Sequence, residues 1–325
     1  MQNILSVSVK ELVQKNNIIF GPINSRRFGM SLGIDLSPNL KQCNFDCLYC
    51  ELAPSATIAK QTQTVSVKTI ITELQSHLHE NIDVITLTAN GEPTLYPQLD
   101  ELIHSINKIK KSTQTLILTN SATLVDEKVF QSLLHLDQVK LSLDAVSPEI
   151  FKKIDRPHKA IDISQLTAKV IEFSQVYQGK LFIEILFVHE LNDTQEEIEK
   201  LNTVLREIQC TRIDIGTIDR PPAYPVTGIG YKELYDISLK FDTQLPIHIA
   251  SRTKAVSSNI SYTHEEILNT LDKRPLTMQD IDLLFDATSK KRLQTLIKAH
   301  KISIRRVSNL DFLVPVENQH RKRKK

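Results

Sequence analysis

A chain of 325 residues with 41% hydrophobic and 24% charged side chains has the balance of an ordinary globular protein, long enough for one large α/β domain and a small appendage. No apolar run approaches the ~20 residues that span a bilayer. Lys10, Glu11 and Lys15 interrupt the N-terminal segment, which lacks a small-residue cleavage site, so no signal peptide is expected and the cytoplasm is the expected compartment.

Six short β-branched runs predict strands at 31–36, 83–88, 115–119, 138–143, 180–188 and 211–216. Between them, residues 67–78, 98–110, 127–134, 163–177 and 194–208 repeat apolar side chains at helical spacing. Strands alternating with helices pair in parallel through right-handed crossovers. The pattern predicts an α/β fold, a partial (β/α)6 TIM-like barrel, with an open doubly wound sheet as the alternative. Both place chemistry at the C-terminal ends of strands. The strand runs read as nearly continuously hydrophobic, as expected where helices cover a sheet. With only eight glycines in the chain, Gly21, Gly29, Gly33 and Gly91 are candidates for backbone positions that require one.

Beyond Gly216, Arg220-Pro221-Pro222-Ala223-Tyr224-Pro225 reads as a stiff, extended connection. A helix at 231–241 and a short strand at 245–250 follow. Residues 1–250 are read as the core with an N-terminal extension, 251–262 as a linker, 263–315 as a small domain and 316–325 as a basic tail. Three helices (264–271, 278–285, 290–300) and a hairpin (302–314) predict a winged-helix-like small domain, with Thr277 and Asp280 as a capping-box variant. Residues 289–325 hold twelve Lys or Arg against Asp311 and Glu317, a net +10, so the other 288 residues are net −8. Lys290, Lys291, Arg292 and Lys298 crowd the third helix, and Arg305 and Arg306 lie in the wing. The pattern fits phosphate contact with RNA or DNA, or the solvated face of a lid or dimerisation module.

After the first predicted strand comes Cys43-Asn44-Phe45-Asp46-Cys47-Leu48-Tyr49-Cys50, a C-x3-C-x2-C spacing. Thiolates this close converge only if the loop wraps around something, and a cubane iron–sulfur cluster suits that geometry. Three thiolates leave one iron of a [4Fe–4S] cluster open to an exogenous ligand. A closed zinc site would require a fourth ligand. Cys210 lies at the opposite end of its strand and reads as a buried core residue, while His79 and His104 lack paired spacing.

The loop, with Tyr49 before its last cysteine, resembles the signature of the radical S-adenosylmethionine superfamily. More narrowly, the chain resembles the branch related to the wybutosine-biosynthesis (tRNA-modifying) iron–sulfur enzymes over about residues 20–224. The likeness rests on Gly21-Pro22-Ile23-Asn24-Ser25-Arg26-Arg27, Asn90-Gly91-Glu92-Pro93-Thr94-Leu95, Ser142-Leu143-Asp144-Ala145, Arg156-Pro157-His158, Asn192-Asp193 and Asp219-Arg220-Pro221-Pro222. Wybutosine enzymes carry additional cysteines for a second cluster, and residues 1–42 here contain none, so the likeness does not extend to their pyruvate-condensing reaction.

The resemblance implies a [4Fe–4S] cluster on Cys43, Cys47 and Cys50, with S-adenosylmethionine chelating the open iron. An electron breaks its sulfonium–C5′ bond, and the 5′-deoxyadenosyl radical that results abstracts hydrogen from substrate. An external one-electron donor, flavodoxin or ferredoxin, is expected. Asn90, Gly91, Glu92 and Pro93 are implied to receive the methionyl amino group, through backbone carbonyls or the Glu92 carboxylate. Ser142 and Asp144 are implied to hold the ribose, and Tyr49, Thr119 and Asn120 complete the candidate cofactor contacts. Thr119 and Asn120 read equally as the start of a βα loop, and Asp144 as a cap for a helix at 148–153. Glu184, inside an apolar strand, faces the lumen or pairs with an arginine. Arg26, Arg27, Arg156 and Arg220 are candidates for carboxylate or phosphate contacts. The competing function is an iron–sulfur redox sensor whose winged helix binds DNA.

Overall fold

The computed structural model describes residues 18–25, 27–78, 81–249, 261–273, 275–307 and 310–316. Among them, eight strands form one sheet in chain order: β1 (Ile19–Ser25), β2 (Gly29–Asp35), β3 (Val84–Thr88), β4 (Gln114–Thr119), β5 (Gln138–Ser142), β6 (Lys180–Phe187), β7 (Arg212–Thr217) and β8 (Ile247–Ile249). β2 to β8 pair in parallel and β1 runs antiparallel to β2. Helices α1 (Val67–His77), α2 (Leu99–Ile109), α3 (Glu127–Leu133), α4 (Pro148–Ile154), α5 (Ile163–Val176), α6 (Gln195–Leu205) and α7 (Tyr231–Ser238) occupy the connections.

The six expected strands are therefore joined by two more. β1 carries Gly21 and Pro22, which break the apolar run that announces a strand and suit only a sheet edge. The short strand expected at 245–250 is β8, and it extends the same sheet.

The expectation of continuously hydrophobic strands also needs correction. Successive strand residues point to opposite faces. The face toward the helices is aliphatic: Ile34, Ile85, Ile117, Leu141, Ile183 and Ile213 are fully buried there. Leu102, Ile103 and Ile106 of α2 pack in the same core, each worth about 2 kcal/mol of burial. The opposite parity, facing the lumen, includes Ser31, Thr86, Lys140, Glu184, Asp214 and His248. The lumen is polar.

The small unit comprises α8 (His264–Lys273), β9 (Leu276–Thr277), α9 (Met278–Leu284), α10 (Ala287–Lys298), β10 (Ile302–Val307) and β11 (Leu310–Pro315). Its three-stranded antiparallel sheet has the order β10-β11-β9. Thr277 and Asp280 form the expected capping box. Ile267, Leu271, Leu293 and Leu296 make a separate core that Ile23 of β1 joins, and Tyr262 Oη donates to the Pro22 carbonyl. The unit is thus docked on the β1 edge. Residues 1–17, 251–260 and 317–325 of the expected extension, linker and tail, along with Arg26 and His79, lie outside the described residues. Among those described, no helix is long and apolar enough to cross a membrane.

Candidate active site

The loop bearing Cys43, Cys47 and Cys50 leaves the C-terminal end of β2 and is gripped from several sides. On one side, Gln42 N donates to Asn90 O at 2.8 Å and Glu92 N to Gln42 O at 3.0 Å. Gly91 lies between them with φ +129°, and a Cβ there would stand 2.0 Å from Gln42 O. This glycine lets the backbone after β3 lie directly against the residue preceding the first cysteine. On the other side, Leu48 N donates to Ile154 O at 2.8 Å, Asp46 N to Asp155 O at 3.1 Å and His158 N to Asn44 O at 2.7 Å. Ala223 N, in the proline-rich segment after β7, donates to Cys50 O at 2.8 Å.

Two side chains complete the frame. The buried Gln42 amide donates to Ser37 Oγ (2.8 Å) and Gln63 O (2.7 Å), and its Oε1 accepts from the N–H groups of Thr62 (2.7 Å) and Gln63 (3.1 Å). Asp46, inside the cysteine motif, pairs with Lys41 at 3.0 Å and Arg156 at 3.4 Å, and accepts from Tyr224 Oη and Ser55 N. The Arg156 guanidinium also sits 4.6 Å from the Tyr224 ring centroid.

All three thiols are free of disulfide. Among the described residues their sulfurs are not drawn together into a ready-made ligand set. Each of two is engaged by a neighbour instead: Phe45 N donates to Cys43 Sγ at 3.4 Å, and Cys47 Sγ donates to Asp155 Oδ1 at 3.4 Å. Burial pushes the Cys43 thiol up to about 12, with the Glu92 charge adding to it, and burial raises Cys47 and Cys50 as well. A bare thiolate is disfavoured at this spot, whereas a thiolate bound to a cationic metal is not.

Beside the loop lies a small cleft lined by Phe45, Tyr49, Asn120, Ser142, Asp144 and Asp155. Asp144 Oδ1 accepts from Leu186 N at 2.7 Å, and its Oδ2 accepts from Tyr49 Oη. Burial pushes the Asp144 carboxyl up to about 7 and raises Asp155 strongly, with Asp144 adding to the latter. Asp144 does not cap α4. The N-cap, Ser147, makes no side-chain cap bond, and Glu197 Oε1 holds the backbone ahead of the helix, accepting from Val146 N (2.6 Å) and Ser147 N (3.0 Å).

Glu92 is placed differently from the expectation of a free acceptor. Its buried carboxylate takes bonds from Thr94 N (3.0 Å), Thr94 Oγ1 (2.5 Å), Thr119 Oγ1 (2.7 Å) and Asn120 N (2.8 Å). It therefore ties the loops after β3 and β4 together, and Thr119 serves that tie. Asn120 reaches onward, with Nδ2 donating to Asn44 Oδ1 at 2.6 Å and lying 3.9 Å from Cys43 Sγ.

Beneath the cleft runs an ionic row. Ser142 is opposite Glu184, Glu184 opposite Asp214, and Asp214 opposite His248. Glu184 Oε1 bridges Lys140 Nζ (2.5 Å) and Arg27 (2.6 Å), while Asp214 pairs with Arg212 (2.8 Å), His248 (3.0 Å) and Arg27 (3.5 Å). Burial alone would raise the Glu184 carboxyl, but Lys140 and Arg27 hold it down to about 2. Both readings of Glu184 are met: it faces the lumen and it pairs with an arginine. Arg220 pairs with Glu51 in the residue after the third cysteine.

The sequence matches the radical SAM superfamily over residues 40–202. A UPF0026 protein of Helicobacter pylori is 40% identical over 301 residues, covering 91% of this chain and 96% of that one. The chain belongs to the radical SAM superfamily. A UPF0026 protein of Methanocaldococcus jannaschii is 31% identical, covering 63% of this chain and 65% of its own length. Among solved structures, a radical SAM methyltransferase from Sphaerobacter thermophilus overlaps with a TM-score of 0.55 at 13% identity, covering 68% of this chain and 66% of that one. At that identity the likeness is one of fold.

Radical SAM enzymes use a [4Fe–4S] cluster and S-adenosylmethionine, and the donor set fits: three free cysteines at C-x3-C-x2-C spacing, framed by loops after β3, β5 and β7. When bound, these groups supply reductive cleavage of S-adenosylmethionine to a 5′-deoxyadenosyl radical. The protein holds the thiolates in place through Gln42, Asp46 and Gly91 and lines the adjacent cleft. Tyr49, Asn120, Ser142 and Asp144 converge on that cleft. Asn90 and Gly91 flank the cysteine loop, and Pro93 is buried at the start of a single 3₁₀ turn.

Sequence reasoning missed Gln42, Asp46, Lys140, Asp155, Asp214 and Tyr224. Lys140 had a readable signal, a lone lysine inside the apolar run 138–143, of the same kind that singled out Glu184. Gln42 had none, because a buried amide is identified only by the partners that satisfy it.

Proposed function

We propose that this radical SAM enzyme works in the cytoplasm, draws its electron from flavodoxin or ferredoxin, and modifies RNA. The observation that carries the substrate class is the placement of a strongly basic helix and hairpin on a unit docked against the barrel edge at β1. The element order of that unit, helix–strand–helix–helix–hairpin, supports the winged-helix reading. The motifs that resemble the tRNA-modifying wybutosine branch support the same substrate class. The enzyme reading replaces the redox sensor, since a sensor has no use for the cleft beside the thiols.

The test incubates reduced, anaerobic enzyme and S-adenosylmethionine with unmodified RNA, followed by mass spectrometry of the digested nucleosides. A nucleoside of new mass, formed in step with 5′-deoxyadenosine, supports the reading. Formation of 5′-deoxyadenosine with every nucleoside unchanged contradicts it.

A further inference from the structure

The basic cluster of the small unit divides sharply once each side chain is placed. Lys290 pairs with Asp282 at 2.9 Å and donates to its carbonyl at 3.3 Å. Arg292 is half-buried and donates to Ser261 Oγ (3.0 Å) and the Tyr262 carbonyl (2.7 Å), holding the start of the unit to α10. These two cations are structural. The side chain of Arg306 lies outside the described residues.

Lys291 and Lys298 remain, both exposed, seven residues apart and so on one face of α10, with exposed Gln294 between them. Exposed Lys301 follows the helix and exposed Arg305 stands in β10. None of the four forms an ion pair with a described residue. Glu265, Glu266, Asp272, Asp280, Asp282 and Asp286 fall on α8, on α9 or at the cap of α10, and Asp311 sits in β11 opposite Arg306, the position next to Arg305. Four cations with one carboxylate in the adjacent strand, on a protein otherwise net negative, are complementary to a polyanion rather than to a mixed-charge surface.

We infer that Lys291, Lys298, Lys301 and Arg305 form the docking face for the phosphate backbone of a structured RNA, which deepens, and rests on, the RNA reading above. RNA is favoured over duplex DNA by the narrow cleft beside the thiols. A base must leave its stack to approach such a site, and loops of folded RNA present unstacked bases where a DNA duplex does not. The face reads shape and charge, and selection of the base falls to the barrel.

The test measures affinity of the anaerobic holoenzyme for a fluorescent RNA hairpin with a single-stranded loop, and for a duplex DNA of equal length, as KCl rises from 50 to 200 mM. Four phosphate contacts predict that affinity for the hairpin falls about 50- to 150-fold across that range, and the Lys291→Ala/Lys298→Ala double variant should fall only about 7- to 12-fold. Lys290→Ala should keep the wild-type slope, since its cation is already paired. Identical salt slopes in the wild type and the double variant would overturn the face, as would absent or salt-independent binding. Duplex DNA bound as tightly as the hairpin would overturn the choice of RNA. Because both substituted lysines are exposed, a matching thermal midpoint verifies that the variant is folded. A nucleoside product that persists with an unchanged slope sinks this face alone and leaves the proposed function standing.

Discussion

Asp46, lodged between the first two cysteines of the motif, accepts a hydrogen bond from Tyr224, 178 residues further along the chain. The same carboxylate holds Lys41 and Arg156, so two distant segments and the start of the loop itself share one anchor beside the cysteines. Asp46→Asn keeps the shape and removes the charge. It should lower stability by about 1.5–3 kcal/mol, the range for hydrogen bonds to a charged group, and reduce iron and sulfide per chain after anaerobic reconstitution. Tyr224→Phe should cost less, about 1 kcal/mol. Urea unfolding and iron analysis check both, and full iron retention in Asp46→Asn would remove its anchoring role.

Gly91→Ala tests the close approach beside Cys43. The new methyl group would meet the Gln42 carbonyl at 2.0 Å in a backbone conformation of φ +129°. Both effects act together, so a loss of about 3 kcal/mol or more is expected. Iron incorporation should fall with it, because the displaced backbone is the residue before the first cysteine. A variant with wild-type stability and iron content would mean that the loop yields freely there.

The ionic row predicts a pH signature. Glu184 is held down to about 2 in the folded chain, against ~4.3 when unfolded. Its ionisation therefore stabilises the fold fully above about pH 4.3, and that contribution is lost as pH falls toward 2. Glu184→Gln removes the closest carboxylate from buried Lys140 and should cost about 3 kcal/mol at pH 7. The gap between wild type and variant should narrow between about pH 4 and pH 2. Urea midpoints across that range read it directly, and a gap independent of pH would contradict the pairing.

Much of the core was legible in the sequence because strand and helix periods survive in single segments. The helix expected at 67–78 is Val67–His77, and that expected at 163–177 is Ile163–Val176. The cysteine loop was legible too, since its ligands are neighbours in sequence. What stayed hidden depends on pairing across the fold. β1 was masked by Gly21 and Pro22. Glu92 looked like a ligand contact until its donors Thr94, Thr119 and Asn120 came into view around it. Lys290 and Arg292 looked equivalent to Lys291, and only the position of Asp282 and the Tyr262 carbonyl separates them. Cys210, read as a buried core residue, is half-buried against the main core just before β7, the end of the sheet away from the other thiols.

The central claim is that three thiolates hold a cluster which cleaves S-adenosylmethionine when reduced. The most direct measurement is mass spectrometry of 5′-deoxyadenosine after anaerobic reconstitution, reduction with dithionite and addition of S-adenosylmethionine. The wild type should produce it and Cys47→Ala should not. Reduced wild-type protein with a full complement of iron that yields no 5′-deoxyadenosine, or protein that takes up zinc in place of iron, would contradict the account.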